Sequence, residues 1–452
     1  MARTDHDKMR LCLSWHPPGN HPGGWRMPDA IRGGESSFKI AVDIVQRAEQ
    51  AKIDAIFFPD SAAVQPIDLI AKGDPKAGYA RRDVVRLEPM TLLPALAAVT
   101  SRIGLLATGT STYNEPYHIA RRFATLDLIS EGRGGWNLVT SQTESEAQNF
   151  GFDSHMEHDS RYDRAGEFYD VVAGLWDSWD DGAIVEDKES ALFFDPSKVH
   201  VLNHHGKHFN VRGPLNVARS PQGRPIVVQA GASPPGKNLA ARISDVVFTA
   251  QAKIADGKIF YDDVKSLAVK HGRRPGDLKI LPGFMPVLGR TLGEAQELLA
   301  QMRSGITDDA ALRSLNRIAG GLDLTKFPLD GPLPELPVSN GAQERQRILV
   351  DMARRENLTL RQAGQRFVEG NAHNNACGTP QMIADIMEEW FEKEACDGFI
   401  LQPSYYPRGV YDIVNLLIPE LQRRGLFRNE YEATTLRGNL GLPVPKSRYA
   451  KA

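Results

Sequence analysis

The chain has 452 residues, of which 41% are hydrophobic and 24% are charged, as in an ordinary globular protein. Lysine and arginine (54) nearly balance aspartate and glutamate (56), so the basic excess that would hold phosphate backbones or anionic lipid is absent. No run of about 18 apolar residues occurs. We therefore expect no nucleic-acid or membrane partner and a cytoplasmic location.

Short apolar runs alternate with helical patterns along the chain, and this alternation predicts a parallel sheet covered by helices. After a first strand at 11–15, apolar residues recur at helical spacing at Phe38, Ala41, Val45 and Ala48. Further strands are predicted at 55–58, 103–107, 136–139, 225–229, 245–249, 280–287 and 398–401, with helical stretches such as 119–129 and 382–391 between them. Eight strands alternating with helices favour a closed (β/α)8 TIM barrel over a doubly wound open sheet.

Three stretches are too long for simple barrel loops, at about 61–90, 178–224 and 303–375. We interpret residues 1–452 as a single domain that carries these insertions. The first insertion directly follows the second strand, so in a barrel it would lie over the mouth and help to select the substrate. The third contains helical patterns at 344–355 and 360–368, and we interpret it as a helical excursion.

Polar residues follow several predicted strands at the points where a barrel keeps its chemistry. Asp60 and Thr108 end the second and third strands, and Asn137, Thr140 and Ser141 stand in or just beyond the fourth. A carboxylate at a strand end can equally cap the next turn, so Asp60 alone would be ambiguous. The convergence of several such ends favours a binding site.

The stretch 229–237 follows a strand and opens a helical pattern, which puts Ser233 where a helix N-terminus could accept a phosphate. Its glycines and Lys237 have the spacing of a Walker A loop. However, Asn238 replaces the magnesium-binding hydroxyl, and Pro234 and Pro235 remove two backbone donors. The pattern therefore argues against a P-loop NTPase and is compatible with a monophosphate such as that of FMN.

His158 and Tyr162 are four residues apart, which would place both on one helix face if the helix has already begun at His158. Ser160 could instead cap that helix and leave His158 in a surface loop, and the residues alone slightly favour this alternative.

Histidines at 200, 204, 205 and 208 are dense enough to suggest a transition metal, but no carboxylate or cysteine completes the set, so we expect no metal site. The three cysteines, without CxxC spacing, are interpreted as reduced packing residues; they are Cys12, Cys377 and Cys396.

Trp25 and Arg26 follow two glycines beyond the first strand, on a predicted mouth loop. They form either a plain surface turn or an aromatic wall with an anion-binding guanidinium. We take them as candidate substrate-binding residues.

Several motifs together resemble the family of nitrilotriacetate monooxygenase component A and dibenzothiophene sulfone monooxygenase, within the bacterial luciferase-like flavin enzymes. The longest is SEGRGGWNLVTS at 130–141, followed by NFG at 149–151 and HDSRY at 158–162. Shorter matches lie at 23–26, 113–117, 212–216, 221–223, 229–231, 435–437 and 440–442, so the resemblance covers nearly the whole chain. The stretches 112–116 and 248–251 favour the nitrilotriacetate branch.

This resemblance implies a (β/α)8 barrel that binds FMN at the strand C-termini, with Asp60, Thr108, His158, Tyr162 and Ser233 as its contacts. It further implies that a separate NAD(P)H:flavin reductase supplies reduced FMN (FMNH2), that O2 is the co-substrate and that the protein is a dimer or tetramer. A small organic substrate such as an aminopolycarboxylate is expected, with Arg26 pairing a carboxylate. The sequence itself assigns no catalytic side chain.

Two other functions are compatible with the same pattern. One is an F420-dependent oxidoreductase of the same superfamily, which would transfer hydride without O2. The other is a non-catalytic barrel that binds a phosphorylated ligand, suggested by the loop around Ser233.

Overall fold

The strands form one closed parallel barrel and two small hairpins. The computed structural model describes residues 7–64, 67–75, 78, 84–316, 318–338, 343–370 and 373–450. In chain order its strands are β1 (Arg10–Ser14), β2 (Ala55–Phe58), β3 (Gly104–Thr110), β4 (Gly134–Val139), β5 (Ile184–Asp187), β6 (Leu192–Phe194), β7 (His204–His205), β8 (Asn210–Val211), β9 (Ile226–Gln229), β10 (Val246–Thr249), β11 (Lys279–Leu288), β12 (Asn374–Gly378) and β13 (Gly398–Leu401).

The barrel closes because its last strand pairs with its first. The ring runs β1, β2, β3, β4, β9, β10, β11 and β13, and β13 then pairs with β1. These pairings are all parallel. The eight predicted strands are these eight, with ends within three residues, so the predicted TIM barrel is confirmed. β12 adds to the outer half of β11, outside the ring.

Helices lie between successive strands and cover the barrel. They are α1 (Phe38–Gln50), α2 (Ile67–Ala71), α3 (Pro89–Ala97), α4 (Pro116–Ile129), α5 (Glu144–Asn149), α6 (His158–Trp176), α7 (Pro234–Ile243), α8 (Ile254–Lys270), α9 (Leu292–Ser304), α10 (Asp308–Asn316), α11 (Gln343–Arg355), α12 (Leu360–Gly370), α13 (Pro380–Glu392), α14 (Arg408–Asp412), α15 (Ile418–Arg423) and α16 (Leu436–Asn439). A π turn, Ile413–Leu417, joins α14 to α15. Among the described residues, none of these helices has the length and apolar character needed to span a bilayer.

Each barrel strand divides its side chains between two cores because successive residues point to opposite faces. On β1, Leu11 and Leu13 pack outward against the helices, whereas Cys12 points into the barrel. The inner core contains Phe57, Leu106 and their counterparts on the other strands. Both sheet faces are therefore covered, which is why the strands appear as continuous apolar runs.

Helix α1 shows how the helical pattern is used. The Ser37 hydroxyl caps it by accepting from the Ile40 amide, and Ala41, Val45 and Ala48 are fully buried. The predicted face also included Phe38, which is 44% exposed, because it lies in the first turn, outside the strand contact.

The chain's last segment closes the amino end of the barrel. Leu436 of α16 and Leu440, directly after it, belong to the inner core, and the Leu436 amide donates to the Gly132 carbonyl just before β4. A Cβ on Gly104, at the start of β3, would lie 2.6 Å from Leu436 Cδ1. The motifs at 435–437 and 440–442 therefore lie at the amino end of the barrel.

The three long segments have different structures. Residues 178–224 form two antiparallel hairpins, β5 with β6 and β7 with β8. Residues 303–375 contain α10, α11 and α12 around a core of their own, which confirms the predicted helical patterns. Within 61–90, residues 65–66, 76–77 and 79–83 lie outside the described residues, and Asp74 pairs with Arg313 of α10.

Replacing Leu436, at the amino end of the barrel, should destabilise the protein strongly. We expect Leu436→Ala to lower the free energy of unfolding by about 2–5 kcal/mol, because it leaves a cavity under a fully buried side chain. Urea unfolding of the purified protein measures this. Leu128→Ala, at a position that is 37% exposed, serves as the matched control and should cost less than about 0.5 kcal/mol. Equal losses in the two variants would contradict the role of Leu436 in the core.

Candidate active site

Two helix N-termini meet at one cavity on the carboxyl side of the barrel. The cavity has a volume of about 380 Å³, and we call it the helix-end cavity. It is lined by Glu157, His158, Asp159, Ser233, Pro234, Pro235 and Gln343. The first turns of α6 and α7, which follow β4 and β9, therefore face the same space, together with the start of α11.

The two helices offer different donors to this cavity. On α6, the first main-chain N–H groups have no intrahelical acceptor, as in any helix, and the N-cap residue Glu157 does not cap them with its side chain. On α7, the Ser233 oxygen accepts from the Gly236 amide at 3.3 Å, and its hydroxyl hydrogen remains available. Pro234 and Pro235 occupy the first two helical positions and have no N–H. Both helix dipoles favour an anion here.

His158 and Tyr162 lie on one face of α6, their rings 5.0 Å apart. Because α6 begins at His158, the alternative in which Ser160 caps the helix is wrong. The Tyr162 hydroxyl lies 3.0 Å from the point where a Cβ on Gly236 would stand, so it touches the first turn of α7. The structure thus brings His158, Tyr162 and Ser233 together.

The glycines of the 229–237 loop serve close packing. A Cβ on Gly236 would lie 2.8 Å from Gly231 Cα, so neither position has room for a side chain. Lys237 forms an ion pair with Asp263 on α8 and has no role of the Walker A kind.

Thr108 and Asp60 lie at the barrel mouth. Thr108 is buried; its hydroxyl donates to the Phe58 carbonyl at 2.8 Å and accepts from Asn137 Nδ2 at 2.9 Å. Asp60 is partly buried beyond β2, and desolvation raises its pKa from 3.8 to about 6, although Arg86 opposes the shift. Strand-end positions therefore supply a buried hydroxyl and a carboxyl that titrates near neutral pH.

Trp25 and Arg26 line a different cavity, of about 1080 Å³, which we call the turn cavity. They lie on the 3-10 turn Gly24–Arg26, with Trp25 53% exposed and Arg26 Nη1 donating to the Gly305 carbonyl at 3.1 Å. The same cavity is also lined by residues of the third insertion between Gly305 and Ser314. They do not line the helix-end cavity.

A buried network that sequence analysis missed fixes the start of α6. The Tyr113 hydroxyl lies 2.5 Å from His155 Nδ1, and Arg161 contacts the other ring nitrogen and donates to the Ser141 carbonyl at 3.1 Å. Burial lowers the pKa of His155 and raises the pKa of Tyr113 to about 12. Tyr113 lies in the motif at 113–117 and Arg161 in the motif at 158–162. These motifs were the sequence signal that could have identified the network.

The dense histidines lie on or beside the second hairpin; three of them contact acidic side chains, and His205 contacts Asn210. His204 Nε2 is 3.0 Å from Glu167, and His208 Nε2 is 2.9 Å from Asp163. Both carboxylates are on α6, so these contacts attach the hairpin to that helix.

A parallel barrel whose helix N-termini and polar strand ends gather on one side is the arrangement of a (β/α)8 enzyme. The profile of the luciferase-like monooxygenase family matches residues 15–396, and the chain belongs to that family. The protein is a monooxygenase of the luciferase-like type, as the sequence motifs predicted.

Curated relatives match over nearly the full chain. Nitrilotriacetate monooxygenase component A of Aminobacter aminovorans is 48% identical, covering 98% of both chains. The N-acetyl-S-(2-succino)cysteine monooxygenase of Bacillus subtilis (strain 168) is 44% identical over 96% of both chains. The dibenzothiophene-sulfone monooxygenase of Rhodococcus erythropolis is 40% identical over 94% of both chains.

Solved structures agree with this assignment. EDTA monooxygenase from Chelativorans sp. BNC1 superposes with a TM-score of 0.79 at 32% identity, covering 96% of this chain and 98% of that chain. A riboflavin lyase whose structure contains modified FMN superposes with a TM-score of 0.85 at 30% identity, covering 97% of both chains.

The partly buried Asp60 predicts a pH-dependent stability change in the cofactor-free protein. Its folded-state pKa, about 6, is above the ordinary value of 3.8, so the ionisation penalty is absent below about pH 4 and complete above about pH 6. We expect Asp60→Asn to stabilise the fold at pH 8 by about 1–2 kcal/mol, and by much less at pH 4. Denaturant unfolding at both pH values checks this. Asp277→Asn is the control of opposite sign, because Arg274 lowers the pKa of Asp277, and it should destabilise at pH 8.

Proposed function

We propose that this protein is the oxygenase component of a two-component system. It takes FMNH2 from a separate NAD(P)H:flavin reductase and uses O2 to oxygenate a small organic substrate. The observation that carries the proposal is the helix-end cavity beside the barrel mouth, in a chain of the luciferase-like monooxygenase family. The component name of its nitrilotriacetate relative supports a separate reductase.

We assign the helix-end cavity, which Glu157 and Asp159 also line, to the phosphate of FMN. A monophosphate dianion needs a few donors and positive helix ends, which the uncapped start of α6 and the Ser233 hydroxyl supply. We assign His158, Tyr162 and Ser233 to the phosphate end of the cofactor. Asp60 and Thr108, at the mouth, are assigned to the remainder of FMN.

When bound, reduced FMN supplies the electrons that activate O2. The protein's side chains then have binding and orienting tasks, and no nucleophile is required. The buried Tyr113, His155 and Arg161 network holds the first turn of α6 in place. We propose that the insertions restrict access of water to the bound cofactor.

We propose a small polycarboxylate as the substrate. Three relatives are named for the compounds nitrilotriacetate, EDTA and N-acetyl-S-(2-succino)cysteine. These compounds all carry several carboxylates around an amine or a thioether. Arg26 is the guanidinium that we assign to one of these carboxylates, and it lines the turn cavity together with Thr307 and Ser314. The chain is proposed to act as one domain and to form a homodimer or homotetramer.

A coupled assay tests the function. Purified protein is mixed with a flavin reductase, NADH and FMN, and aminopolycarboxylates, thioether dicarboxylates and sulfones are offered in turn. We expect a product that requires FMN, O2 and this protein, and that forms from at least one polycarboxylate. Substrate oxidation that continues without O2 would instead indicate a hydride-transfer enzyme, and tight FMN binding with no turnover on any substrate would favour a non-catalytic binder.

Removing the Ser233 hydroxyl should weaken FMN binding through its phosphate. We expect Ser233→Ala to raise the Kd for FMN about tenfold, because a charge-assisted hydrogen bond is lost. Binding of riboflavin, which has no phosphate, should change by less than about twofold. Fluorescence titration measures both affinities.

Ser37→Ala is the matched control for this prediction. Ser37 caps α1 through an acceptor contact of the same length, 3.3 Å, and does not line the helix-end cavity. An equal loss of FMN affinity in both variants, or an equal loss of riboflavin affinity in Ser233→Ala, would refute the phosphate assignment.

A further inference from the structure

Two buried polar side chains at the barrel mouth each hold one acceptor atom without a partner. They are Asn137, 3% exposed, and His373, 6% exposed. Neither Asn137 Oδ1 nor His373 Nδ1 has a hydrogen-bond partner among the described residues. An acceptor that is withdrawn from water and left unpaired costs its full desolvation free energy, so such groups are rare unless a ligand completes them.

Asn137 points into the barrel. Its neighbours Trp136 and Leu138 belong to the outer, helix-facing core, so the alternation of β4 turns Asn137 inward. The only hydroxyl hydrogen of Thr108 is donated to Phe58, so Thr108 can only accept from Asn137. The Asn137 amide must therefore present its nitrogen to Thr108 and its carbonyl oxygen to the interior.

His373 lies above the inner core, next to β10 and β11. Its ring stacks on Phe248 at 5.2 Å, and Phe248 packs on Phe57 of the inner core at 5.8 Å. The ring donates to the main-chain carbonyl of Thr249, which leaves Nδ1 with a lone pair. Burial and the positive charge of Arg345 lower the pKa of His373 to about 3, so the ring is neutral.

Gly283 of β11 is what makes room for this ring. A Cβ there would lie 2.5 Å from His373 Nδ1 and 2.9 Å from Gln402 Nε2. The imidazole is thus wedged between Phe248 and the Gly283 backbone, with its orientation fixed by packing.

We propose that Asn137 Oδ1 and His373 Nδ1 accept hydrogen bonds from the flavin ring and thereby select reduced over oxidised FMN. The inference rests on the proposed function, since it takes the barrel mouth as the flavin site. Reduction of the isoalloxazine ring adds N–H groups where the oxidised ring carries bare nitrogen acceptors. A buried acceptor gains a partner from the reduced ring and faces a second acceptor in the oxidised ring.

This preference has a function in a two-component system. The oxygenase receives FMNH2 and must release FMN after turnover. A pair of neutral acceptors favours both steps without any change in the phosphate contacts, because the phosphate is the same in the two redox forms.

Anaerobic titration of each redox form tests the proposal. We expect His373→Phe, which keeps a ring on Phe248, to raise the Kd for reduced FMN about tenfold and that for oxidised FMN by less than about twofold. His373→Asn should restore most of the preference, because its amide oxygen can take the place of Nδ1. Asn137→Leu should resemble His373→Phe. His271→Asn, at an exposed histidine bonded to Asn238, is the control and should match the wild type.

The outcomes separate the alternatives. Parallel loss of both redox forms, with a lowered Tm, would mean that the two side chains only pack, and would overturn the inference. Unchanged flavin affinities with a raised KM for substrate would place the N–H donor on the substrate, and would also overturn it. If the wild type binds neither redox form, the proposed function itself fails; if it binds both equally, only this inference fails.

Discussion

The parallel direction of all eight barrel strands is the constraint on which the rest of the structure depends. Because every strand points the same way, the helices that follow begin on the same side, where their first N–H groups lack intrahelical acceptors. α6 and α7 direct two such ends at one cavity, and on the same side of the barrel Asn137 of β4 donates to Thr108 of β3. The opposite end is sealed by apolar side chains of α16.

Most of the barrel could be predicted from the sequence, because strands that are buried on both faces leave unmistakable apolar runs between amphipathic helices. The candidate cofactor residues differ in how clearly the sequence indicated them. Local chemistry made Ser233 a candidate, as a hydroxyl at the start of a helix after a strand, and the family resemblance supplied most of the support for its role as an FMN contact. His158 was ambiguous, since a serine two residues later is an equally good cap. Arg161 contacts His155, six residues earlier, and Ser141, twenty residues earlier, and these contacts hold the first turn of α6.

What could not be predicted depends on contacts between residues far apart in sequence. Arg26 lies at the turn cavity because its turn packs on the Met302–Gly305 stretch, nearly 280 residues later. His373 precedes β12, a strand outside the barrel ring, and no local pattern shows that its ring lies on Phe248. The hairpins of 178–224 are short, and every residue of β5 and β6 is exposed, so they have no buried-face periodicity to detect. Insertions therefore carry the features that sequence patterns miss.

The central claim is that the start of α6 holds the phosphate of FMN, and amide hydrogen exchange tests it most directly. The measurement compares the exchange rate of the peptide that spans 157–161 in the protein alone, with FMN and with riboflavin. Each ligand is added at a concentration that saturates the protein. The account predicts slower exchange at residues 158–160 with FMN and little change with riboflavin, because only FMN brings an acceptor to these N–H groups. Unchanged exchange with FMN, or equal slowing by riboflavin, would contradict it.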